Sequence, residues 1–374
     1  MQNIFSFKNP EQRGNFLAMF IIAFFVVLSL IRLYPFHNDL SVIITSIDDW
    51  GRYARYALEI KNESLFIVSV NECYAVPAGF LYNYFVALCF YLFGENTIPV
   101  YFIQSLLLAF SIVFVYLAFR DKMQNTTSIL MLLTLFMFAL VDTYKYYSFQ
   151  LLSENLAIFT ISAFFLFFNK GIENNKLILQ LAAAFLMGLT ILIRPNILPF
   201  EIMLVILFIG YFLKHNLKKS RLIIFLTVLI LSSSLLLIRN YLVCKQLLFF
   251  PAITFSIFHD IFHQVDFSWM IYIKKALFIF GMLSPLEPEY HWRPHWTLMW
   301  IGYFIYLLYN VKNVAIMKLW EVTSHLFIFS YLLMLLFIVP DLGSYGFRFM
   351  IPVILIVLPF SFMGLDRLRA KFNW

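Results

Sequence analysis

Residues 15–34 read NFLAMFIIAFFVVLSLIRLY, twenty residues whose one charge, Arg32, stands near the far end. A helix rises about 1.5 Å per residue, so this run reaches across a hydrocarbon core of about 30 Å. Within lipid every backbone N–H and C=O must be paired inside the segment, and an unalternating apolar run does this as an α-helix. No small-residue cleavage site follows it, so it reads as an uncleaved span.

The same pattern recurs along the chain. Further spans are expected at 98–119, 126–147, 153–169, 177–193, 197–213, 222–238, 298–311, 321–340 and 347–365. Two apolar stretches, 78–94 and 270–284, either cross or stay at the outer surface; the second is broken by Lys274 and Lys275. The expected fold is all-α: a polytopic membrane protein of about ten transmembrane helices with juxtamembrane helices in its outer loops. Residues 1–374 form one membrane-embedded domain with no separate soluble domain.

Composition agrees. Of 374 residues, 62% are hydrophobic and 13% charged, against about half and about a quarter in soluble domains. This excludes a soluble enzyme, a nucleic-acid binder and a disordered chain. Cys73, Cys89 and Cys244 are too few and scattered for a disulfide framework or a zinc motif.

The net charge of +7 becomes a question of which side the charges occupy. With ten helices and an inner N-terminus, the inner segments hold 15 of the 27 basic residues. Twelve helices would move Arg120, Lys122, Lys170, Lys176, Lys214, Lys218, Lys219 and Arg221 outside. Short loops rich in Lys and Arg stay inside, which favours ten. Two long segments then face outward, 35–97 and 240–296. Both are aromatic and partly apolar, as helices lying on a bilayer are.

The first outer segment contains SIDDWGRYARYALEI, residues 46–60. Trp50, Tyr53, Ala54, Ala57 and Leu58 recur at helical spacing, with Arg52, Arg55 and Glu59 off that stripe. The pattern predicts an amphipathic helix starting at Ser46–Asp49. Asp48 and Asp49 fall in its first turn, where the helix dipole favours carboxylates. Capping accounts for one of them; a pair just above the membrane also suits a general base for a lipid-linked substrate. Glu154 opens a later helix on the same side, as cap or as site acid. Arg194, Arg239 and Arg348 stand at outer helix ends. Each could snorkel to the interface, but a guanidinium fork also clamps phosphate oxygens. Acids and arginines on one face point to transfer from a phosphate-linked donor.

No firm metal site is read. A divalent cation is the one cofactor left open, and His259 and His263 are weak candidate ligands, alongside His291 and His295. No Gly-rich phosphate loop, Ser/His/Asp set or HExxH is present, so a cytosolic nucleotide-sugar donor is not expected.

Taken together, Asp49-Trp50-Gly51-Arg52-Tyr53-Ala54, Pro77-Ala78-Gly79-Phe80 through Phe93-Gly94, Glu154, Gly188 with Arg194-Pro195, Arg239-Asn240-Tyr241 and Arg348 with Pro352 resemble the GT-C superfamily of integral-membrane glycosyltransferases. The nearest likeness is to the bacterial aminoarabinose transferases and the protein O-mannosyltransferases. Trp50 stands where those families carry glutamate, and Val76 where the aminoarabinose transferases carry lysine. The resemblance implies inverting transfer of a sugar from a polyprenyl-phosphate donor to a glycan, lipid or protein acceptor. Asp49 would be the base, with Asp48 and Glu154 orienting the acceptor or holding a cation. Arg348, Arg239 and Arg194 would take the donor phosphate, and Arg52 and Tyr53 would position substrate. The expected setting is a bacterial inner membrane, the site facing the periplasm or exterior, with membrane lipids but no nucleic acid as partners. A transporter or flippase, or an O-antigen-type polymerase acting on lipid-linked glycans, is the alternative.

Overall fold

The structure is a computed structural model that describes residues 10–33, 40–46, 48–63, 79–140, 148–214, 219–245, 269–281, 294–310, 317–337 and 346–372. Among these residues the regular structure is entirely helical. In chain order the helices are α1 (Pro10–Leu33), α2 (Leu40–Thr45), α3 (Asp49–Asn62), α4 (Phe80–Phe93), α5 (Thr97–Phe119), α6 (Asn125–Phe138), α7 (Glu154–Glu173) and α8 (Leu177–Ile193). They continue as α9 (Leu198–Lys214), α10 (Lys219–Ser233), α11 (Leu235–Cys244), α12 (Trp269–Ile279), α13 (Pro294–Asn310), α14 (Leu319–Phe337) and α15 (Gly346–Phe372).

Among the described residues six helical segments are long and apolar enough to cross a membrane, and a seventh arises if α10 and α11, which meet at 44°, count as one. Every sequence-predicted span falls on a helix. The one at 177–193 matches its helix of 17 residues, and the one at 298–311 falls on a helix that starts earlier, at Pro294. Of the one at 126–147 the helix covers the part to Phe138, while 141–147 lie outside the described residues. The predicted span at 222–238 is interrupted at Ser234. The last helix runs beyond its apolar stretch, to Phe372.

Packing follows residue size. Phe164, Phe165, Phe168, Phe200 and Phe327 interlock edge-to-face or stacked between α7, α9 and α14. Helices already in lipid gain little from leaving it, so close van der Waals fit must hold them together. At the α13–α15 contact Ser361 donates to the Met299 carbonyl at 2.6 Å. A Cβ on Gly364 would lie 2.3 Å from the Gly302 carbonyl oxygen. Of the long spans, α15 is the most enclosed and α1 the most peripheral.

One end of the bundle gathers the basic segments. Arg120 donates to Asn15 at 2.7 Å, Lys122 pairs with Glu173, and Lys170 pairs with Asp121. Arg221 bonds Asn175 and Arg367 bonds Asn310. Asp366 accepts from the Gln124 N–H at 2.8 Å and from the Thr127 hydroxyl. Had α4 crossed between α1 and α5, Asn15 and Arg120 would lie on opposite faces. Asn15 and Arg120 lie at one end of the bundle, and α4 packs toward the other. There α3 and α4 run side by side: Tyr53 meets Gly79 and Tyr82 at their starts, and Lys61 meets Glu95 at 2.8 Å at their ends.

Candidate active site at the end opposite the basic loops

α3 starts at Asp49, within the predicted range, but the helix is buried on more than its predicted stripe. Gly51, Tyr53, Ala54, Tyr56, Ala57 and Ile60 are all buried, because α2 covers one side of α3 and α4 another. The α2–α3 corner is tight. A Cβ on Gly51 would lie 2.3 Å from the Ser46 carbonyl oxygen and 2.6 Å from that of Ile43. Arg55 closes the corner by donating to the carbonyls of Ile44 at 2.6 Å and Ser46 at 2.8 Å.

The two aspartates diverge. Asp48 occupies the N-cap position without a side-chain cap bond. Its carboxylate instead accepts from the Trp50 indole at 3.1 Å and the Ser46 hydroxyl at 3.3 Å, in the open. Asp49 pairs with Arg52 at 3.5 Å and keeps 38% of its side chain exposed, so it is reachable. Its charge also acts on Tyr53 one helical turn along.

Tyr53 joins the outer helix to the bundle. Its phenol is buried beneath α3, hydrogen-bonds the Ser153 side chain, and feels Glu154, Arg194 and Asp49. Burial pushes it up to about 12; the Glu154 and Asp49 carboxylates push the same way and the Arg194 guanidinium opposes them. It is therefore a neutral donor at any working pH. Gly79, with φ of +101°, passes so close that a Cβ would fall 2.7 Å from the Tyr53 ring. Both the backbone angle and the space call for glycine there.

Beneath Tyr53 lies a buried ion pair. Glu154 at the start of α7 binds Arg194 at the end of α8, with side chains only 2% and 12% exposed. Ser153 gives Glu154's helix no side-chain cap bond; its hydroxyl serves Tyr53. Arg194 also feels Tyr331 of α14, which accepts from Asn196 at 3.4 Å. Beside the pair, Tyr82 donates to Gln104. The Gln104 amide donates to the carbonyls of Gln150 at 2.9 Å and Ser148 at 3.3 Å, and Asn155 donates to Ser148 at 3.1 Å.

Arg239 lies near Tyr84 of α4. It is 2% exposed, donates to Asn240 at 2.9 Å, and acts electrostatically on Tyr84. Phe80, Leu192 and Leu236 form a small apolar plug between the two arginines' helices. Arg348 sits in the first turn of α15; its side chain, like His259, His263 and His291, lies outside the described residues. His295 is described and exposed at the start of α13. Among the described residues no three His, Cys, Asp or Glu side chains gather as a metal site would require.

The structure thus brings together Asp49, Tyr53, Glu154 and Arg194, with Arg52 at Asp49 and Arg239 near α4. Sequence reading did not single out Tyr82, Gln104, Ser153 as Tyr53's partner, Asn196 or Tyr331. Polar side chains inside otherwise apolar spans, Gln104 above all, were the available signal. It also did not foresee Arg32 of α1, whose guanidinium lies 4.3 Å from the centre of the Phe149 ring. All this lies at the start of α7, and a 20-residue helix places it about 30 Å from the basic end.

The family model for dolichyl-phosphate-mannose-protein mannosyltransferases matches residues 77–238. That range holds Glu154 and Arg194 and stops short of the Asp49 motif on one side and Arg239 on the other. Among solved structures the chain is similar to the crystal structure of ArnT from Cupriavidus metallidurans bound to undecaprenyl phosphate. That likeness has a TM-score of 0.55 at 13% identity and covers 92% of this chain. The chain spans 60% of that relative's length. None of the curated proteins matches by sequence. The chain is a multi-pass helical membrane protein that shares its fold with that ArnT structure. The fold is thus the one that the resemblance implied.

Proposed function

We propose that the chain is a glycosyltransferase that moves a sugar from a polyprenyl-phosphate-linked donor to an acceptor on the outer face of a bacterial inner membrane. The observation that carries this reading is the convergence of Asp49, Tyr53, Glu154 and Arg194 opposite the basic loops. Basic short loops are retained inside, which turns this site outward.

In the proposed reaction the Asp49 carboxylate takes the proton of an acceptor hydroxyl. The freed oxygen attacks the anomeric carbon, the carbon–oxygen bond to the lipid phosphate breaks, and that phosphate leaves with the electron pair. Attack opposite the leaving group inverts the configuration. Asp49 suits the role better than Asp48, because its field joins the buried cluster while Asp48 is held by Trp50 and Ser46. Arg239 and Arg348 take the leaving phosphate, where negative charge builds. Arg194 spends its charge on Glu154, so this pair supports Tyr53 rather than meeting substrate. Arg52 and Tyr53 position the acceptor side.

Replacing Asp49 with Asn tests the mechanism, since it keeps size and removes the base. Transfer of labelled sugar from the lipid-linked pool should fall at least about 10²-fold in membranes carrying normal amounts of D49N protein. Undiminished transfer sinks the reading. A flippase predicts ionisable residues along a path through the membrane; here the site groups cluster at one end, which favours the enzyme.

A further inference from the structure

One acid inside the bundle belongs to none of the groups above. Glu201 lies in the first turn of α9, 7% exposed. Its Oε1 is 3.5 Å from the Ser233 hydroxyl, and no hydrogen-bond partner for its Oε2 occurs among the described residues. Ionisable side chains at such depth are costly and are retained for a purpose. Ser233 has one hydroxyl proton, and the Leu229 carbonyl lies nearer, at 2.6 Å. The Ser233 hydroxyl therefore divides its donation between the Leu229 carbonyl and, more weakly, Glu201 Oε1, so the acid meets the serine that sits at the bend.

Ser233 stands where the helix breaks. Ser232, Ser233 and Ser234 all turn back onto carbonyls of their own helix, at 2.8, 2.6 and 2.9 Å for the shortest contacts. Such back-bonding competes with the ladder and bends helices. Here α10 and α11 part by 44°. Next to it α8 comes so close that a Cβ on Gly188 would fall 2.0 Å from the Ser232 hydroxyl oxygen. The bend thus lies against both α8 and Glu201 of α9, and the arm beyond it carries Arg239.

We infer that Glu201 is a positioning residue for Arg239, fixing through Ser233 the bend that aims this guanidinium at the donor phosphate. The inference rests on the phosphate role given to Arg239 under the proposed function. Arg239 lies about 7.5 Å along the arm, so a change of about 8° in the bend moves its backbone about 1 Å. A displacement of that size at a reacting group can cost about 10²-fold.

The test measures binding of undecaprenyl phosphate, with undecaprenol as the phosphate-free control, to the full chain in detergent. Glu201→Leu should weaken undecaprenyl phosphate binding about 10-fold, which is about 1.4 kcal/mol, and leave undecaprenol unchanged. Glu201→Gln should stay within about 3-fold, because its amide oxygen can accept from Ser233 as the carboxyl oxygen does. Ser233→Ala should repeat the Leu result without touching the acid. Added to Arg239→Ala, Glu201→Leu should cost nothing more, since both act on one contact. Wild-type binding by Glu201→Leu or Ser233→Ala while Arg239→Ala is weakened overturns the inference alone, as does additivity in the double variant. Equal loss for undecaprenol also overturns it. An unaffected Arg239→Ala overturns the phosphate assignment and this inference with it.

Discussion

At the level of single residues, the informative contrast is between Asp48 and Asp49. They are neighbours in one turn, yet the first is tied to Trp50 and Ser46 in the open, while the second pairs with Arg52 and its charge acts on the buried tyrosine. Asp48→Asn should leave transfer within about 3-fold, whereas Asp49→Asn should lose at least about 10²-fold in the same membrane assay. The Glu154–Arg194 pair makes a different prediction. Glu154→Gln strands a guanidinium that is largely enclosed. Breaking a buried pair from one side costs about 3–5 kcal/mol, so the melting temperature in detergent should fall clearly. Replacing both partners by neutral residues should recover much of that loss, because no uncompensated charge remains. The acids and arginines were legible in the sequence as charges at helix ends on one side. That Arg194 answers Glu154, 40 positions away, was not, since pairing across helices depends on how α7 and α8 pack.

At the level of elements, α3 was legible from its spacing, and its start at Asp49 came out within the expected range. Its burial was underestimated. Periodicity reports one apolar face, whereas α3 is enclosed by both α2 and α4 and so buries Tyr56 and Ile60 as well. The α2–α3 corner carries the next prediction. Gly51→Ala places a Cβ against two backbone carbonyls that cannot rotate away, and relieving overpacking of this kind costs about 1–3 kcal/mol. The corner must open, which moves Asp49 away from Tyr53. Transfer should drop by about 10-fold or more while the spans stay assembled, read as activity against a near-unchanged far-ultraviolet dichroism. The break at Ser234 was not legible. The sequence reading ran one span through Ser232–Ser234, whereas there the serines turn back onto their own carbonyls and the helix bends.

For the whole molecule, the placement of α4 decides the topology. As a surface helix it leaves the loops holding Arg120, Lys170 and Arg221 on the same side as the chain's first span begins. A cysteine at Glu95, on the site's end, should react with an impermeant maleimide added from outside in a Cys-free background. A cysteine at Asn174, among the basic loops, should react only after the membrane is opened. The reverse pattern, or equal labelling of both, contradicts the proposed orientation. Contacts such as Arg120 with Asn15 and Asp366 with Gln124 tie chain segments more than a hundred positions apart into that one end.

By itself the sequence determined that this is a helical membrane protein, where its apolar helices lie and which segments are basic. Those properties follow from local runs of apolar side chains and from charges in short loops, and lipid permits few backbone solutions. It also offered Asp49, Glu154 and the arginines as candidates, because polar groups at helix ends are conspicuous against so apolar a chain. Only the tertiary structure decided that Tyr53 sits over Glu154 and Arg194, that α4 stays at the far end, and that the helix before Arg239 is bent. Each of these depends on which helices touch, and that is set by side-chain fit between segments distant in the chain, which no local pattern records.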